Sequence, residues 1–283
     1  MNHKDFVEII ENNTKADKNV LKDYILSILP RIPIPTVNVN KDTFIERAVI
    51  ISHTDGDFDL DRLSYIPSKL KHLASEGRFN NAEESIFYAA FTDLDTPSAT
   101  RFFLATELDH SILGYQNKTF NITVTKWLSK TSYTSLFFVF KDEYCTNDLT
   151  TNAFKELVNS NEFRNLSRED KEFLELITEE FSKTDSANKY DITNIVFDFY
   201  KRLGYNSIIY PGVRSRYRGN NIAMFPSVVD DCWECCFGAE FILVQNGDNI
   251  KMDAVKKINL KGKKLVYSDF GKSEFGEEIT IKK

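Results

Sequence analysis

The chain has 283 residues, 42% hydrophobic and 13% aromatic, enough to bury a substantial core in one large domain or two small ones. Its net charge of −6 and pI near 5.4 provide no overall field for a phosphate backbone, so nucleic-acid binding is not expected without a local basic cluster. The longest strongly apolar runs, SLFFVF at 135–140 and EFILV at 240–244, fall far short of the ~20 residues of a bilayer-crossing helix, and no membrane span is expected.

The N-terminal stretch MNHKDFVEIIENNTK alternates charged and apolar residues. It has neither a basic n-region nor an unbroken apolar h-region, so secretion is not expected, and the few, clustered cysteines point to a reducing cytoplasm. Two short amphipathic helices are predicted over about 4–12 and 18–29, the second with Val20, Leu21, Tyr24, Ile25 and Ile28 at helical spacing. Pro30, Pro33 and Pro35 in PRIPIP then favour extended backbone and mark a boundary. Residues 1–42 read as an N-terminal helical appendage with a Pro-rich linker, free to pack on the core or on a partner, and 43–283 as the main domain.

From about residue 43 the pattern changes, and FIERAVII, SIFYAAF and FNITVTKWL read as strands. Between about 148 and 203 it is helical. Ser167 and Asp170 stand at capping-box spacing ahead of FLELITEEF. In YDITNIVFDFYKRLG, Ile192, Ile195, Val196, Phe199, Tyr200 and Leu203 share one face, and Gly204 stands where a C′ glycine belongs. YNSIIYPGV then reads as a buried strand running into a turn, NNIAMFP as a second strand, and the rest as short strands with lysine-rich turns. The class is α+β, with a helical insertion between two groups of strands.

The cysteines, Cys145, Cys232, Cys235 and Cys236, are too few and too clustered for a disulfide scaffold in a chain of this length. Cys232-x-x-Cys235 would supply half of a zinc site, but there is no second C-x-x-C and no H-x₃₋₅-H pair, so reduced, partly buried thiols and no metal are expected. In RSRYRG, Arg214, Arg216 and Arg218 would share one face of a strand and attract phosphate of any kind. With no other basic cluster in an acidic chain, the pyrophosphate of a small ligand or plain solvation is preferred to nucleic acid.

The order FIERA (44–48), LSYIPSKLKHLASEGRFN (63–80), SIFYAAF (85–91), ATELD (105–109), ITVTKW (122–127) and GYNSIIYPGVRSRYRGNNIAMFPSVVD (204–230) resembles the RES domain over about residues 43–230. That family typically supplies the toxin of RES–Xre toxin–antitoxin pairs. The resemblance implies an ADP-ribosyltransferase-like mixed β core and consumption of NAD by phosphorolysis, hydrolysis or ADP-ribosyl transfer. Inorganic phosphate is then a possible co-substrate and an Xre-type antitoxin the partner. It places the first arginine on Arg47, the GRFN turn on Arg78 and Asn80, the tyrosine on Tyr88, and the Y-P-S turn on Tyr210, Pro211 and Gly212, where this chain lacks the serine. Ser215 could replace that hydroxyl if the turn folds back.

Each transferred position has a chemical reason. A carboxylate stabilises the oxocarbenium-like state formed when the nicotinamide–ribose bond breaks, and Glu107 is the candidate, nineteen residues past Tyr88, a longer interval than the family's. Asp93, Asp95 and Asp109 are the other acids nearby, and Thr100 could instead occupy the glutamate's place. Arginine forks bind pyrophosphate in bidentate fashion, the expected work of Arg47 and Arg78. An aromatic face stacks on nicotinamide, the expected work of Tyr88 unless it is simply a core aromatic. Gly212 motivates the alternative of a catalytically impaired RES-like module for nucleotide or protein binding.

Overall fold

Asn2 caps the first helix, α1 (His3–Glu11): its side chain accepts from the Asp5 N–H and Asp5 accepts from the Asn2 N–H in return. This reciprocal pairing satisfies two donors that a helix start otherwise leaves free. Asp17 caps α2 (Lys18–Ile28), accepting from the N–H groups of Asn19 and Val20. PRIPIP closes the pair with a 3₁₀ turn at Leu29–Arg31 and leads into an edge strand, β1 (Thr36–Val39). The structure is a computed structural model that describes residues 1–51, 59–92, 97–108, 118–145, 147–183, 186–188, 190–212, 219–246, 249–261, 264–269 and 279–282.

The expected strands follow as β2 (Phe44–Val49), β3 (Phe87–Phe91) and β4 (Lys118–Ser129). A short helix α3 (Leu60–Leu63), a 3₁₀ segment at Ser68–Leu73 and helix α4 (Pro97–Leu108) lie between them. The sequence pattern predicts none of these three, and the apolar residues of α4 show little one-sided periodicity. Strand β5 (Tyr133–Phe137) precedes the helical insertion, which comprises α5 (Asp148–Asn159), α6 (Asn161–Arg164), α7 (Arg168–Ser182) and α8 (Asp191–Arg202). The chain returns through β6 (Ser207–Pro211), β7 (Asn220–Met224) and α9 (Pro226–Cys232). The last part is not a set of short strands only: β8 (Trp233–Asn246) and β9 (Asn249–Lys261) run 14 and 13 residues, ahead of β10 (Lys264–Asp269) and β11 (Ile279–Lys282).

Among the described residues these strands form one mixed sheet in the order β1-β5-β6-β7-β3-β2-β4-β8-β9-β10, with β11 also on β9. All neighbours are antiparallel except β5 and β6, which run parallel because the whole helical insertion lies between them. Ser167 accepts from the Asp170 N–H at 3.0 Å to start α7, and its hydroxyl donates to the Asp170 carboxylate at 2.8 Å. At the end of α8 the Tyr205 N–H reaches the Tyr200 carbonyl and the Gly204 N–H the Lys201 carbonyl, with Gly204 at φ +92°. These two bonds make a Schellman cap, and the Tyr200 and Tyr205 rings meet edge to face beneath it. Leu203, assigned to the apolar face of α8, sits in that cap and is 52% exposed.

One face of the sheet carries α1, α2, α7 and α8. Phe6, Ile10, Leu21 and Ile25 are buried in the same cluster as Phe173, Phe181, Phe197 and Tyr200, together with Leu136, Ile208 and Ala223 from the strands. The N-terminal helical segment therefore packs on the core, one of the two possibilities the sequence leaves open. The opposite face buries Ile45, Phe87, Trp127, Ile209 and Ile222 against α5 and α9. A third cluster seats Phe102, Leu104 and Ala105 of α4 on β2, β3, β4 and β8.

Gly204 has open space where a side chain would go, so the Gly204→Ala substitution tests its left-handed backbone alone. The expected loss is about 1–2 kcal/mol of stability, read as a lower urea midpoint with an unchanged m-value.

Candidate functional site

The stretch EGRFN forms a tight turn in which the Gly77 N–H donates to the Asn80 carbonyl at 3.0 Å. Asn80 is 5% exposed, and its side-chain NH₂ faces the carbonyls of Ser75, Asn81 and Glu84. The Tyr88 hydroxyl donates to Asn80 Oδ1 at 2.9 Å and accepts from the Phe79 N–H at 3.2 Å. Phe79, 1% exposed, anchors the turn between the rings of Tyr210, Phe181 and Phe197, at centroid distances of 4.5, 5.2 and 5.5 Å. With Phe79 turned inward, Arg78 points into the cleft. Its Nη2 donates to the Lys183 carbonyl at 2.7 Å, and its guanidinium lies over the Tyr190 ring at 5.9 Å.

Arg47 reaches the same place from the sheet. Strands β2 and β3 pair only at Ile45↔Phe91 and Glu46↔Ala90, whereas β2 pairs with β4 along its whole length. Beyond the two-pair ladder, Arg47 Nη1 donates to the Tyr88 carbonyl at 2.8 Å and the guanidinium lies over the Phe87 ring at 5.1 Å. Burial lowers its pKa to about 10, which leaves it charged at neutral pH, and its Nε is buried without a hydrogen-bond partner among the described residues. Glu46, the neighbour that could have paired with it, faces the other side of the strand and takes Arg101 in two bonds of 3.2 and 3.1 Å. No carboxylate among the described residues forms an ion pair with Arg47 or Arg78.

Both arginines line a cleft of ≈ 900 Å³. Tyr88 and Ala89 of β3, Tyr210 of β6 and Asn221 of β7 contribute from the sheet, Leu104, Glu107 and Leu108 from α4, and residues between Asp59 and Leu73 form a further wall. Helix α4 carries Glu107 in its last turn, so the long interval after Tyr88 is filled in part by helix. Burial raises the Tyr210 hydroxyl well above its ordinary pKa; the phenol of Tyr88 and the Glu107 carboxylate act in the same direction, Arg78 against it. Burial likewise raises Tyr88, so both phenols are neutral donors at physiological pH.

Five of the expected site residues, Arg47, Arg78, Tyr88, Glu107 and Tyr210, thus face one cleft. Two do not. The side chain of Asn80 is consumed in holding the turn, and Gly212 does not line the cleft but gives its N–H to the Gly219 carbonyl at 2.7 Å. Thr100 is buried in α4 away from the cleft wall. Asp93, Asp95, Asp109, Arg214, Ser215, Arg216, Tyr217 and Arg218 lie outside the described residues. Tyr65, Asp61, Lys69, Tyr190 and Asn221 also line the cleft, and nothing in their local spacing distinguishes them from solvated polar residues.

All four cysteines are free thiols, with burial pushing Cys145 and Cys235 up to about 12. Among the described residues no group of three or more His, Cys, Asp and Glu is arranged to hold a metal ion, and no helix is long and apolar enough to cross a membrane. No family model matches the chain, and a comparison with curated proteins finds no match.

A β-carbon on Gly77 would lie 2.4 Å from Asn80 Oδ1 and 3.0 Å from the Tyr88 hydroxyl. Because Asn80 is held on its other side by three carbonyls, the Gly77→Ala substitution is expected to cost about 1–3 kcal/mol in chemical denaturation.

Proposed function

We propose that the cleft binds NAD and that the protein cleaves the nicotinamide–ribose bond, as an ADP-ribosyltransferase-like enzyme of RES type acting in the cytoplasm. The observation that carries this reading is a pair of arginines lacking carboxylate partners among the described residues, facing the same cleft as Glu107 and two phenols. An arginine desolvated without a counter-charge is costly. A dianionic pyrophosphate spanning Arg47 and Arg78 supplies that charge with matching geometry.

The reaction follows from the same groups. The bond between ribose C1′ and the pyridinium nitrogen breaks, its electron pair leaves with nicotinamide, and C1′ develops positive charge. The Glu107 carboxylate stabilises that charge without changing its own bonding. Tyr88 offers its ring rather than its hydroxyl, which the turn already uses, and stacking there orients nicotinamide. Water, inorganic phosphate or a side chain of a target protein then adds to C1′ and loses its proton. An Xre-type antitoxin is the partner that goes with this reading.

Gly212 in place of a serine favours a second reading, a RES-like module that binds nucleotide without turnover. Loss of the hydroxyl removes one hydrogen bond, worth on the order of 1 kcal/mol, which weakens binding without abolishing a pocket.

Incubation of purified protein with NAD, with and without phosphate, separates the two. Nicotinamide release is expected, and with NAD below its KM the Arg78→Ala substitution should reduce it by about ten- to a hundredfold, since bound NAD and its transition state both lose a charge-assisted hydrogen bond to the pyrophosphate. Binding of NAD without release of nicotinamide would move the assignment to the non-catalytic module, and absence of both would end the NAD reading.

A further inference from the structure

We propose that the turn between α1 and α2 positions Arg78, acting through the α7–α8 connection with Asn188 and Lys183 as positioning residues. The inference rests on reading Arg78 as a ligand-binding group. Among the described residues Arg78 is held by this connection, through the Lys183 carbonyl at 2.7 Å and the Tyr190 ring at 5.9 Å. Its described residues, 183, 186–188 and 190, belong to no ladder; the Lys183 N–H, the Asn188 and Tyr190 carbonyls and the Ser186 hydroxyl are met by the adjoining ends of α7 and α8, and other groups need partners from further along the chain.

The N-terminal helices supply those partners. Lys183 Nζ donates to the Ile10 carbonyl at 2.7 Å, placing a cation at the carboxyl end of α1. The same ammonium meets the buried Glu180 carboxylate at 2.5 Å. The Ala187 N–H donates to Asn13 Oδ1 at 2.7 Å. Asn188 is 1% exposed and bridges the turn in both directions: its Oδ1 accepts from the Ala16 N–H at 2.9 Å and its Nδ2 donates to the Thr14 carbonyl at 3.0 Å. Asp191, at the start of α8, takes Lys15 and Lys18 at 2.8 and 2.9 Å.

Residues 10–18 thus grip the chain at 183, 187, 188 and 191, beside and between the two points that hold Arg78. The Asn188 side chain is spent on these backbone groups and does not line the cleft. What it fixes is the height of the α7–α8 connection over the EGRFN turn.

The test compares Asn188→Ala, Arg78→Ala and the double variant in the full-length chain. Amide hydrogen exchange is read at Gly77–Asn80 and, as a reference, along the β2–β4 ladder. In Asn188→Ala, exchange at Gly77–Asn80 is expected to quicken about tenfold while the ladder keeps its wild-type rates. With NAD as substrate, KM is expected to rise about tenfold with kcat within about twofold, and Asn188→Ala should add nothing in the Arg78→Ala background. Unchanged exchange at Gly77–Asn80, equal acceleration along the ladder, or additive effects in the double variant would overturn the proposal. If the wild-type protein does not act on NAD, the functional reading fails while the exchange measurement still decides the positioning role. Should Asn188→Ala fail to fold, Asn188→Asp keeps the acceptor for Ala16, and Lys183→Met cuts only the ties to Ile10 and Glu180; either is read in the same way.

Discussion

The Tyr88 hydroxyl joins the sheet to the turn that precedes it, and the cleft depends on that junction. The oxygen donates to Asn80 and accepts from Phe79, so β3 and EGRFN cannot move independently. Phe79 is thereby driven into the aromatic cluster under α7 and α8, and Arg78, its neighbour in sequence, is left facing the opposite way. A buried phenol with both hydrogen-bonding capacities used is a rigid element, because breaking either bond strands a polar group in a low-dielectric interior.

Arg47 and Arg78 stand out against other cations of the fold. Arg31 pairs with Asp170, Lys201 with Glu84, and Lys15 and Lys18 with Asp191, each in an ion pair at or near the surface. In the cleft the guanidinium groups are held instead by carbonyl oxygens and aromatic rings, which fix direction without neutralising charge. The proposed dinucleotide site therefore rests on two cations with no carboxylate in ion-pair contact among the described residues more than on the shape of the cavity.

Strand and helix positions are largely legible in the sequence because their signals are local. The strands FIERAVII and SIFYAAF, the cap at Ser167 and the Gly204 terminus all rest on alternation, helical spacing or a single turn residue. Helix α4 and the segment from Asp59 to Leu73 give no such signal, since the first lacks a one-sided apolar stripe and the second is short and irregular. At the site, the ordered motif set brings out five residues that share the cleft. It does not distinguish Arg78, which points into it, from Asn80 two positions later, whose amide is turned inward. That difference is made by Phe79 and Tyr88, through contacts between the turn and the strand that one-dimensional spacing does not encode.

The parallel pairing of β5 and β6 has a kinetic side. Leu136 and Phe137 align with Ile208 and Ile209 only after the four helices between them have been laid across the sheet. Loop-closure entropy of that size must be met before the pairing returns any stabilisation, so the β6–β7 hairpin can form early while its union with β5 comes late. Until then, β5 presents an unsatisfied edge at Leu136 and Phe137 to other chains. The helical insertion is thus also what keeps this edge open during synthesis, until Ile208 and Ile209 have left the ribosome.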